Sequence, residues 1–115
     1  MQPYKKTLLI DLDGVLNQYD GKFNENFIPP VKDGAYQFLQ NLSQNFVIKI
    51  FTTRNRLLTS KWLFQNNLDK FVTDVTNIKD SAFLYIDDRC ICFGGDFVST
   101  IRQINNFRPY WKKSK

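Results

Sequence analysis

Short apolar runs alternate along the chain with stretches whose apolar residues recur at helical spacing. Leu8-Leu9-Ile10 is apolar on consecutive positions, the mark of a strand buried on both faces, and it runs directly into Asp11. Residues 17–30 are rich in Asn, Gly, Asp and Pro and predict a loop or small flap. Val31, Ala35, Phe38, Leu39 and Leu42 then fall on one helical face, followed by a second strand over Val47–Phe51. A helix over Arg54–Asn67 would turn Leu58, Trp62 and Leu63 to the core. Short strands are expected near Phe71–Val75 and Phe83–Ile86. Asp96 can cap a last helix with Phe97, Ile101 and Ile104 facing inward, and Pro109 forbids its continuation. This strand–helix–strand–helix–strand–strand–helix order argues for an α/β fold, a parallel sheet with helices on both faces.

Composition narrows the chemistry. With 115 residues the chain has room for one core, so residues 1–115 are read as a single domain. Hydrophobic residues make up 43%, which excludes a disordered or collagen-like chain. There is no histidine, so Ser-His-Asp hydrolysis, histidine phosphorylation and imidazole metal sites are all excluded. Cys90 and Cys92 are too few for a disulfide framework or a zinc site, and neither begins a Cys-x5-Arg loop. They are expected to be buried or inert. Glu25 is the one Glu, so acid-dependent chemistry must run on Asp. The formal charge of +5 is spread along the chain and favours anionic partners without choosing among them. Its basic run, Lys112, Lys113 and Lys115 beside Tyr110 and Trp111, could touch nucleic acid, though a frayed end explains it as well. No apolar stretch has the length of a membrane span or a signal segment, and a cytoplasmic protein with reduced thiols is expected.

Ligands of open α/β sheets bind beyond the carboxyl ends of the strands, so the residues that close each strand matter most. The first strand ends Asp11-Leu12-Asp13-Gly14, the second Phe51-Thr52-Thr53-Arg54, and the last Ile86-Asp87-Asp88-Arg89, with Lys79 in the approach to it. Each alone is ordinary: an Asp at a strand end is usually a turn residue, and a lone Lys is usually solvated. Four carboxylates converging on one rim are not ordinary, because they cannot all ionise without a cation. With oxygen ligands only, Mg²⁺ suits best. Asp11 could attack phosphorus as a nucleophile, and Asp13 could protonate a leaving oxygen and then activate water.

These segments resemble the four motifs of the haloacid dehalogenase (HAD) superfamily. Leu-Leu-Ile-Asp-Leu-Asp-Gly-Val-Leu (8–16) is similar to its first motif and Ile50-Phe51-Thr52-Thr53-Arg54 to its second. Lys79 is similar to its third motif and Tyr85-Ile86-Asp87-Asp88-Arg89 to its fourth, all in the superfamily's order. The resemblance implies a Rossmann-like α/β/α sandwich with a mostly parallel sheet, and Mg²⁺-dependent phosphatase chemistry through an aspartyl-phosphate on Asp11. It implies Mg²⁺ held by Asp11, the backbone carbonyl of Asp13 and an acid of the fourth motif. Asp88 is favoured over Asp87, which would act through water. Thr52, with Thr53 as fallback, and Lys79 would hold the transferred phosphoryl oxygens.

Both gaps that house cap domains in such relatives are short here, so a capless member with an open site is expected. Such a site suits a bulky substrate, or a small one covered by an oligomer partner. Asn17, Tyr19 and Asp20 of the flap could touch a leaving group, or serve only the turn. Arg54 and Arg89 could bind a second substrate anion, or pair with a nearby Asp. A small phosphorylated substrate leads; nucleic-acid ends or a phosphoprotein are the alternatives. A receiver-type phospho-acceptor domain gathers similar residues, but carries its acid pair on the first strand, whereas this chain has its pair last.

Overall fold

The computed structural model describes residues 4–112. The elements run β1 (Lys6–Asp11), α1 (Ala35–Ser43), β2 (Phe46–Phe51), α2 (Arg56–Gln65), β3 (Asp74–Thr76), β4 (Leu84–Ile86) and α3 (Phe97–Asn106). A single 3₁₀ turn over Asp69–Phe71 lies between α2 and β3. The sheet is parallel throughout, in the order β3-β2-β1-β4. The fold is a Rossmann-like α/β arrangement: the order of elements implied the parallel sheet, and the resemblance implied the Rossmann-like form.

Connection handedness explains where the helices go. The β1→β2 and β2→β3 steps move the same way across the sheet, and right-handed crossovers therefore set α1 and α2 on one face. There Leu8, Ile10, Ile48, Ile50 and Val75 from the strands meet Leu39 of α1 and Trp62 and Leu63 of α2. Pairing runs Ile48–Leu8–Leu84 and Lys49–Leu9–Tyr85, so the odd-numbered residues of β1 point to the second face. The return step from β3 to β4 goes the other way, and its connection crosses that second face. Asp80 of this connection accepts from the Tyr85 hydroxyl through its carbonyl at 2.9 Å, and its carboxylate meets Lys49 Nζ at 3.4 Å.

Several sequence expectations shift at their edges. Val31 is not helical; it closes the flap through a bridge to Asn17, and α1 begins at Ala35 after Gly34 in a left-handed conformation (φ 89°). The helix expected from Arg54 begins at Arg56, because the Asn55 side chain caps it by accepting from Leu58 N. The strand expected over Phe71–Val75 is instead the 3₁₀ turn followed by β3. At α3 the cap holds, with Asp96 accepting from Ser99 N, but the facing does not: Phe97, Ile101 and Ile104 are exposed. Cys90 and Cys92 are exposed too, and lie outside any strand, so of the expected buried or inert thiols burial does not hold. Among the described residues no helix is long and apolar enough to cross a membrane.

Candidate active site

The strand order reverses between β1 and β4, the place where an open α/β sheet leaves a crevice beyond its carboxyl ends. Asp11 is the last residue of β1, and Asp87 and Asp88 follow β4 directly. Carboxylate oxygens of these three residues lie within 4.8 Å of one another. One oxygen of Asp11, Oδ2, is buried and has no hydrogen-bond partner. Burial first, then the neighbouring Asp87 and Asp88 charges, push the Asp11 carboxyl up to about 8. A divalent cation would remove that repulsion and give the orphaned oxygen a partner. Carboxylate oxygens are donors of the kind Mg²⁺ takes, so these three residues fit the ion the resemblance implies.

Asp13 does not join this cluster by its side chain. The Arg54 Nε donates to both of its oxygens, at 3.1 and 2.9 Å, and Asn17 Nδ2 donates to Oδ1 at 2.9 Å. Of the metal-holding groups expected, Asp13 therefore retains only its backbone carbonyl, the group the resemblance names. Gly14 makes the turn possible: it sits at φ 84°, where a side chain would also collide with Asp88.

Thr52 is buried, and its Oγ1 accepts from Arg54 N at 3.2 Å, while Thr53 is exposed beside it. Both line a recess of about 370 Å³ with Asp11, Asp13, Phe51, Asp87 and Arg89. Lys79 borders a neighbouring cavity of about 170 Å³ that also reaches Asp11 and Asp87, and its Nζ stands 4.6 Å from the centre of the Tyr85 ring. Arg89 is exposed on the rim, its N–H bonded to Asp87 Oδ1 and its Nε 3.4 Å from Asp88 Oδ1. The chain thus brings all four motif segments to one end of the sheet.

Of the two readings of Arg54, the structure shows the ion pair. Its side chain is only 1% exposed and pairs with Asp13. Nη1 donates to the carbonyls of Asn24 and Phe27, and the guanidinium lies 4.5 Å from the Phe23 ring centre. One guanidinium therefore ties the flap to Asp13. Asn17 is likewise more than a turn former. Fully buried, it accepts from Gly14 N and Tyr19 N while donating to Asp13.

Sequence reasoning missed the C-terminal segment. The Tyr110 hydroxyl donates to the Gly14 carbonyl at 2.5 Å, and the Trp111 indole N–H donates to Asp88 Oδ2. Trp111 meets Tyr19 edge to face at 5.4 Å, and Gly21 is where a side chain would strike its ring. A frayed end does not describe these two residues. Lys112 is exposed, while Lys113 and Lys115 lie outside the described residues. The aromatic pair beside a Pro was the available signal, and it reads equally well as a tail.

No family model matches the chain, and neither does any curated protein. A solved structure of a conserved protein from Bacteroides thetaiotaomicron is similar in fold, with a TM-score of 0.59 at 17% identity. The likeness covers 97% of this chain and 100% of that one. At that identity it is a likeness of fold, extending over the whole architecture.

Proposed function

We propose that this chain is a HAD-type, Mg²⁺-dependent phosphatase acting on a small phosphate monoester. One observation carries the reading: Asp11, Asp87 and Asp88 converge at the switch point of a parallel sheet, with a buried Asp11 oxygen left without a partner.

Asp11, Asp88 and Asp87 would hold the ion, with the Asp13 carbonyl, and the ion would offset negative charge between Asp11 and the incoming phosphoryl group. An ionised Asp11 oxygen attacks phosphorus while the ester bond breaks, giving an aspartyl-phosphate. Asp13, held by Arg54 and Asn17, takes up a proton from solvent and delivers it to the leaving oxygen. Water then attacks phosphorus, Asp13 takes its proton back, and inorganic phosphate leaves with Asp11 restored. Thr52, with Thr53 beside it, and Lys79, which line the recesses at Asp11, would meet the phosphoryl oxygens as charge develops. Arg89 at the open rim is the residue best placed to meet a second anionic group of the substrate.

The test is phosphate release from a panel of small phosphate esters, with Mg²⁺ and with EDTA. Activity on at least one ester is expected to need Mg²⁺ and to vanish in Asp11→Asn. Turnover in excess chelator, or an active Asp11→Asn, would overturn the reading.

A further inference from the structure

Helix α3 is amphipathic and unpartnered. Phe97, Ile101 and Ile104 fall at i, i+4 and i+7, and are 76%, 58% and 58% exposed. Phe93 extends the stripe, its ring 5.3 Å from that of Phe97. No residue of the helix is buried. Isolated helices of ten residues are marginal in water, even with a good N-cap such as Asp96, and draw their stability from packing of the apolar face. The stripe therefore calls for a cover. On the sheet, the short edge strand β4 leaves Leu84 and Tyr85 half exposed, with Phe83 beside them.

The chain as a whole also exposes more surface than a packed monomer of its mass. A folded monomer of this mass exposes about 6,600 Å², whereas this chain exposes 8405 Å². The difference is roughly 1,800 Å², and the protomer's share of an obligate homodimer interface is about 1,000–2,500 Å². The radius of gyration, 15.4 Å, exceeds the roughly 13 Å expected of a compact chain of this length.

We propose that α3 is a homodimerisation helix, its Phe93–Phe97–Ile101–Ile104 stripe covered by a second copy of this chain about a two-fold axis. Charge favours that occupant over a membrane surface or a nucleic acid. Arg102 is the one charged residue within α3, so two copies approach without like-charge repulsion along the seam. A helix that lies on a membrane or on nucleic acid would instead carry Lys and Arg along its polar face. Gly94 and Gly95, the latter at φ 97°, precede the helix with open space around them. A two-fold contact places the stripe against itself, which the near-absence of charge permits.

The proposal does not depend on the phosphatase reading. Light scattering behind size exclusion measures it on the intact chain at about 10 µM and 100 µM. A mass twice 13.6 kDa is expected. The Ile101→Asp/Ile104→Asp double variant is expected to run as a monomer with an unchanged far-UV circular dichroism spectrum in the sheet region, since neither residue touches the core. A monomeric wild-type chain at both concentrations would overturn the proposal, and so would a dimer that the double variant leaves intact.

Discussion

At the scale of single residues, Arg54 joins parts of the molecule that are far apart in sequence. It follows β2, yet its guanidinium holds Asp13, which follows β1, and two carbonyls of the flap. Under the proposed chemistry this fixes the acid that must reach the leaving oxygen. Arg54→Ala would leave the half-buried Asp13 carboxylate without its ion-pair partner, a change that costs up to about 3–5 kcal/mol, so loss of fold would obscure its effect on catalysis. Arg54→Lys keeps the charge but cannot serve Asp13 and both carbonyls at once. Its turnover on an alkyl phosphate, whose leaving oxygen needs a proton, is expected to fall about a hundredfold. On an aryl phosphate with an acidic leaving group the loss should be far smaller. Equal losses on both esters would show that Arg54 does not act through Asp13.

At the scale of elements, the connection between β3 and β4 decides whether Lys79 can serve the site. It crosses the second sheet face in seven residues, held at Asp80 by Lys49 and Tyr85. That anchorage lets Lys79 border the cavity that reaches Asp11. Lys79→Ala is therefore expected to lower turnover by roughly a hundredfold or more, the effect of losing one preorganised charge-stabilising group. Lys61→Ala and Lys70→Ala should change little, and a Lys79→Ala variant as active as these would assign the phosphoryl contact elsewhere. The same elements mark how far the sequence could be read. Strands β1 and β2 were legible because consecutive apolar positions ending in Asp11 and Thr52 admit few alternatives. The short β3 and β4 were placed only to within a few residues, since three-residue strands carry almost no periodicity. The facing of α3 was misread for a different reason. Helical spacing of Phe97, Ile101 and Ile104 identifies an apolar face but not what covers it. Tyr110 and Trp111 escaped altogether, because their partners Gly14 and Asp88 lie far away along the chain and no local pattern announces such a contact.

On the scale of the whole molecule, the site opposes the stability of the fold that holds it. Unfolded, the Asp11 carboxyl loses its proton near 3.8; folded, it keeps that proton to about 8. Between these values the native state binds a proton that the unfolded chain has released, so stability falls as pH rises from about 4 to about 8. Below that window the group contributes nothing to the difference between states. Asp11→Asn removes both the ionisable group and its repulsion with Asp87 and Asp88. In EDTA the variant should thus melt several degrees above the wild-type chain at pH 8, since about 1 kcal/mol moves the midpoint of a domain this size by roughly 4–8 °C. The gap should narrow toward pH 5, where wild-type Asp11 is neutral in the folded chain. Added Mg²⁺ is expected to close the gap from the other side, because it stabilises the ionised wild-type cluster by mass action and has less to bind in the variant. Thermal melts of both chains at pH 5 and pH 8, with EDTA and with Mg²⁺, measure all four corners. If the two chains differ by the same amount at both pH values, and Mg²⁺ moves neither, then the three carboxylates are not coupled through Asp11. In that case the crevice beyond the carboxyl ends of β1 and β4 holds no cation site.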